Sequence, residues 1–180
     1  YYPTKTASVQ TLSAHLQRMI TLGTPVDMVI LDYGDLLRDV NNNKEVRHAL
    51  GNIYEDLRGL AGEYEIPVWT ASQANRSALE EDVIQAEKVA ESYQKVMTAD
   101  FVVSLSRKVG DKIANTGRFH IIKNRFGPDG ITLPAKVNTN NGSIDIYDGS
   151  SQNGQEQQGK MNNQEEYVRK QLAQKYKDLG

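Results

Sequence analysis

Apolar positions along the chain switch between a helical and an extended period. Val9, Leu12, Leu16, Met19 and Ile20 share one helical face, which predicts an amphipathic helix capped by Ser8 and stopped by Gly23 and Pro25. Val26-Asp27-Met28-Val29-Ile30-Leu31-Asp32 follows, a short apolar run that fits a parallel strand buried on both faces and ends on a carboxylate. Val46, Leu50, Ile53, Leu57, Leu60 and Tyr64 mark a second amphipathic helix. Ile66 to Ser72 is the next strand, with Pro67 tolerable only at its beginning. A polar, acidic stretch from Ala78 to Glu91 leads through Tyr93 to Met97 into a third strand, Asp100 to Leu105. Strand–helix–strand repeats of this length imply right-handed crossovers and a mostly parallel sheet.

After Arg107 the period becomes two. Phe119 and Ile121, then Phe126-Gly127-Pro128-Asp129-Gly130, then Ile131, Leu133, Ala135 and Val137 predict a β-hairpin around strong turn chemistry. Asn141-Gly142 makes a second turn before Ser143 to Tyr147, so antiparallel strands extend the sheet on its C-terminal side. From residue 149 to 162 the composition turns to Ser, Gln, Asn and Gly, which predicts a flexible linker. A short amphipathic tail helix over 163–180 carries Tyr167, Val168, Leu172 and Tyr176 on one side. The expected organisation is one α/β core over 1–148, then linker and tail helix.

Composition narrows the function classes. A net charge of -2 argues against a protein that coats nucleic acid by bulk positive charge, though not against a local basic surface. The absence of cysteine excludes disulfides, thiolate metal sites and a cysteine nucleophile. No run of about 18 apolar residues and no signal-peptide pattern is present, so a soluble protein with no membrane partner is expected. Tyr1-Tyr2-Pro3 lacks an initiator Met, and the chain is expected to be a piece of a longer protein.

The chemistry concentrates at a few places. Ligands of open α/β sheets sit at the carboxyl ends of the strands, where Asp32 either holds a magnesium ion beside a nucleotide phosphate or caps the following turn. Gln73, just past the next strand, either hydrogen-bonds a γ-phosphate or its attacking water, or caps a turn. Lys123 and Arg125 lie two apart, on one face of a strand, where the hairpin begins to turn. Cations at a ribbon tip can neutralise charge on a transferring phosphoryl group, or simply discourage edge-to-edge aggregation.

These segments carry a resemblance. Ile30-Leu31-Asp32-Tyr33 looks like the Walker B strand of replicative hexameric DNA helicases of the DnaB type. Ser72-Gln73-Ala74-Asn75-Arg76-Ser77 resembles their Ser-Gln-Leu-Asn-Arg-Ser segment. Lys123-Asn124-Arg125-Phe126-Gly127-Pro128-Asp129-Gly130 is similar to their Lys-x-Arg-x-Gly-Pro-x-Gly hairpin. Order and spacing agree from Tyr1 to about Asp148, and the flavour is closest to helicases of tailed phages.

The resemblance implies a RecA-like fold, ATP and magnesium as cofactors, a hexameric ring and translocation on single-stranded DNA in a bacterial or phage-infected cytoplasm. Primase or a helicase loader is a further implied partner. It makes Asp32 the magnesium ligand, acting through water, and Gln73 the phosphate sensor. Arg125 becomes a finger supplied in trans, with Lys123 assisting. DNA contact is implied for Arg76, Lys88, Glu91, Ser92 and Lys95, although Tyr93 and Lys95 stand where the family often has smaller or apolar residues.

One departure matters. The chain contains no Gly-x-x-x-x-Gly-Lys-Ser/Thr, so the phosphate-cradling loop and the catalytic glutamate that follows it are absent from these residues. Both are expected upstream, and the polypeptide by itself is expected not to hydrolyse ATP. Two other classes stay open: a different RecA-like ATPase of recombinase or clock type, and a non-enzymatic assembly module built on a degenerate RecA-like domain.

Overall fold

The computed structural model describes residues 2–41, 43–74, 81–84, 86 and 93–177. The chain divides into two compact units, residues 1–75 with 89–100 and residues 76–88 with 101–180. No helix among the described residues is long and apolar enough to cross a membrane.

The first unit runs α1 (Val9–Thr21), β1 (Val29–Leu31), a short 3-10 turn (Gly34–Leu36), α2 (Val46–Tyr64), β2 (Val68–Thr70) and α3 (Gln94–Thr98). Helix α1 ends where its sequence demands. Gly23 takes a φ of +74°, its N–H donates to Ile20 O at 2.9 Å, and Thr24 N–H donates to Met19 O at 3.0 Å. That paired closure satisfies two carbonyls the helix would otherwise leave open. Strands β1 and β2 pair in parallel, Val29 opposite Val68, Ile30 opposite Trp69 and Leu31 opposite Thr70.

The core of this unit joins Val9 and Leu16 of α1 to Leu50, Ile53, Leu57 and Leu60 of α2, with Val29, Leu31 and Val68 packed against it. The helices cover one face of the strand pair. On the other, Ile30 is 78% exposed and Trp69 46% exposed. The expectation of a strand buried on both faces is therefore corrected. Burial alternates along β1 and β2 because only alternate side chains meet the helices.

The second unit holds β3 (Phe101–Ser106), α4 (Val109–Ala114), β4 (Thr116–Asn124), β5 (Thr132–Asn138), β6 (Ser143–Ile146) and α5 (Gln152–Lys177). Its described strands form one antiparallel sheet in the order β3-β4-β5-β6. Both predicted turns are present: the β4–β5 hairpin, and the β5–β6 turn in which Gly142 has a φ of +72°. Mixed α/β architecture with antiparallel strands on the C-terminal side is as expected, but parallel pairing is confined to β1 and β2 among the described residues. The third strand pairs antiparallel with β4 through a register shift at Val102/Val103.

The segment expected as a linker is instead the first half of a 26-residue helix, α5. Ser151 caps it by accepting the Gly154 N–H at 3.0 Å, while Asp148 Oδ1 accepts the Ser150 N–H at 2.8 Å. Met161 is fully buried and Gln157 nearly so. A Cβ at Gly154 would run into the Asp148 carbonyl oxygen, so glycine is required for the close approach at this end. A few anchors and an ion pair replace the apolar stripe that pattern reading requires. Glu165, on the same helix, meets Arg118 of β4.

Candidate nucleotide site and hairpin

The parallel register of β1 and β2 ends both strands at the same side of the sheet. Asp32 follows β1 directly and is exposed. Gln73 lies three residues beyond β2, and its Nε2 donates to the Tyr33 hydroxyl at 3.0 Å. The structure thus brings the loops of Asp32 and Gln73 together at the carboxyl ends of parallel strands, where ligands of open α/β sheets bind.

Side chains beneath these loops fix them. Thr70 Oγ1, at the last position of β2, donates to Leu31 O at 3.1 Å and accepts the Gly34 N–H at 2.7 Å. Asp35 accepts from Lys95 Nζ at 2.7 Å and from the Tyr54 hydroxyl at 2.9 Å. Lys95 also donates to Ser72 Oγ at 3.1 Å and stands 5.4 Å from the centre of the Tyr54 ring. Burial, reinforced by the Asp35 charge, pushes the Tyr54 hydroxyl well above the usual tyrosine range, so it stays protonated and donating.

Lys95 is thus placed differently from its expected position facing DNA. Only 3% of the residue is exposed, because its ammonium is held by a carboxylate, a hydroxyl and an aromatic face. Arg76, Lys88, Glu91 and Ser92 lie outside the described residues. Asp35, Tyr54, Thr70 and Ser72 escape sequence reasoning as site residues. Ser72 does lie in a recognised segment, and Asp35 stands three residues after Asp32, but only the fold shows that they meet.

In the second unit, Lys123 is half-buried near the end of β4, and Arg125 is exposed just beyond it. Asn124 braces the turn between them and Gly130. Its Oδ1 accepts the Phe126 N–H at 3.1 Å and its Nδ2 donates to Pro128 O at 3.2 Å. Gly130, at a φ of +72°, donates to Ile121 O at 2.8 Å and closes the ribbon. Asn124 was legible in principle, since an Asn that bonds two residues ahead is a common turn device. Phe126, at the tip, is 82% exposed.

The residues suit a magnesium nucleotide. Asp32 offers an exposed carboxylate at a strand end, and magnesium bound with a nucleotide needs only one or two carboxylates beside phosphate and water oxygens. Among the described residues no group of three metal-ligating side chains stands together.

Residues 2–139 match the DnaB-like helicase C terminal domain. The chain belongs to that family. Its fold is similar to a solved ATPase domain, with a TM-score of 0.68 and 24% identity over 79% of this chain and 52% of that one. It is also similar to a DnaB-like replicative helicase solved to show its interactions with primase, with a TM-score of 0.64 and 24% identity over 74% of this chain and 34% of that one. The chain therefore spans about half of the first structure and a third of the second. No curated protein sequence matches it. The family resemblance drawn from the three motifs is borne out, and so is the RecA-like character of the fold.

Proposed function

We propose that this chain is part of an ATP-driven replicative DNA helicase motor that unwinds duplex DNA while translocating on single-stranded DNA. The observation that carries the reading is the convergence of the Asp32 and Gln73 loops, joined by the Gln73–Tyr33 hydrogen bond at 3.0 Å, in a chain of this family. Asp32 is the residue that would hold magnesium, through water, and the ion would supply neutralisation of charge on the β- and γ-phosphate oxygens. Gln73 presents an uncharged amide to the γ-phosphate or the attacking water, so loss of that phosphate changes its hydrogen bonding. Arg125 and Lys123 stabilise the transferring phosphoryl group of a neighbouring subunit in a hexameric ring.

The 180 residues alone do not turn over ATP in this reading, because a phosphate-cradling loop is not among them. Sequence-independent contacts to phosphates would make the grip on single-stranded DNA sensitive to salt. A primase or loader is proposed as the protein partner, and a bacterial or phage-infected host cytoplasm as the location. The test is Asp32→Asn in the whole protein that contains this chain. Hydrolysis should fall far more than nucleotide binding, because the metal's electrostatic role is greatest in the transition state. Equal loss of both would remove the metal role.

A further inference from the structure

The first unit contains a buried ion pair that the proposed chemistry does not use. The Lys95 side chain is 2% exposed and that of Asp35 15% exposed. A pair this deep is weak evidence of stability, since apolar residues of similar size commonly do as well or better. What it does have is position. Asp35 belongs to the 3-10 turn that begins two residues after Asp32, and Ser72 immediately precedes Gln73. One ammonium holds both, Asp35 Oδ2 at 2.7 Å and Ser72 Oγ at 3.1 Å. Tyr54, from α2, closes the far side by donating to Asp35 Oδ1 at 2.9 Å and to Ala71 O at 3.3 Å.

We infer that Lys95 is a positioning residue: with Asp35 it latches the Asp32 loop to the Gln73 loop and ties both to α3, so that a shift of α3 moves the two loops together. Helix α3 begins at Gln94, two residues after Ser92, for which the family resemblance implies DNA contact, so the latch joins the strand ends to the element that follows that part of the sequence. An apolar residue at position 95 fills the same space without reaching either loop. The pair therefore sets geometry where an apolar contact would set only packing.

The test compares Lys95→Met with the apolar pair Asp35→Leu plus Lys95→Met. Ser72→Ala serves as a milder variant that removes a single arm. Hydrogen exchange is read on the chain, and DNA-stimulated ATP hydrolysis on the whole protein; only the second readout rests on the helicase reading. In the apolar pair, amides of residues 33–36 and 71–73 should exchange about tenfold faster, while those of α2 change less than about twofold. Ser72→Ala should loosen residues 71–73 alone. In the ring, the apolar pair should lose DNA stimulation of kcat, with KM for ATP kept within about twofold. Wild-type loop exchange in the apolar pair, or a rise as large in α2 as in the loops, would overturn the latch. If the wild-type protein hydrolyses no ATP, the helicase reading falls while the exchange readout still decides the latch.

Discussion

Among the described residues, each unit holds a buried cluster of opposite charges, and the two differ in what surrounds them. In the second unit, Arg118 of β4 meets Asp111 of α4 at 2.5 Å and Glu165 of α5 at 2.5 Å, with Asp111 fully buried. Asp111 also accepts from Thr116 Oγ1 at 2.9 Å and from the Lys108 N–H at 2.8 Å. Asp82, in a bend, also lies 3.5 Å from Arg118, but the closest partners sit on a helix, a strand or a helix cap, so this cluster mainly clamps regular elements together. In the first unit, Lys95 and Asp35 reach instead to the two loops that carry the candidate residues Asp32 and Gln73. The planar guanidinium suits a fixed fork between elements, whereas an ammonium is a point donor that several loop groups can share. Similar charge pairing thus serves architecture in one unit and loop geometry in the other.

The largest expected effect breaks the architectural side. Deleting residues 149–180 removes α5, and with it buried Met161 and the Glu165 contact to Arg118. The loss should exceed about 5 kcal/mol, enough to unfold a marginal unit, and thermal melting followed by circular dichroism checks it. An unchanged melting temperature would restore the tether expected from sequence.

Next comes Asp111→Ala, which leaves Arg118 buried with one partner fewer. Urea unfolding should show a loss of about 3–5 kcal/mol, with exchange protection falling in α4, β4 and α5. A loss below about 1 kcal/mol would place this pair with the weak surface bridges.

A smaller effect sharpens the electrostatic picture. His120 is buried, with Nδ1 2.8 Å from Thr132 Oγ1, and burial holds its pKa below the ordinary 6.5 despite the opposing pull of Asp129. A folded state that favours neutral imidazole is fully stabilised above pH 6.5 and loses that contribution as pH falls through the lowered value. His120→Gln should flatten stability below pH 6.5; an unaltered profile would assign the dependence to other groups.

Much of this was legible because its causes are local. The Gly23 stop of α1, the Phe126–Gly130 hairpin and the Asn141-Gly142 turn are each written in neighbouring residues. The strand-end positions of Asp32 and Gln73 followed from apolar runs and their abrupt ends. What escaped was non-local. Helix α5 is anchored by Met161, Gly154 and Glu165 rather than by a periodic stripe, so a Gln- and Asn-rich composition hid it. The antiparallel partner of β3 lies across a helix in the sequence. Lys95 looked like a surface cation, because nothing near it in sequence announces Asp35, 60 residues earlier.

In the proposed motor, Asp32 and Arg125 serve one nucleotide from different subunits. The most direct measurement mixes Asp32→Asn and Arg125→Ala forms of the whole protein and follows ATP hydrolysis in the mixed rings. Each variant alone should be nearly inactive, Arg125→Ala by about 10³-fold or more, as such fingers usually contribute. Mixed rings should regain part of the activity, since some interfaces then combine an intact Asp32 with an intact Arg125. No recovery in rings that assemble normally would contradict the account and leave Arg125 acting in cis or only bracing the hairpin.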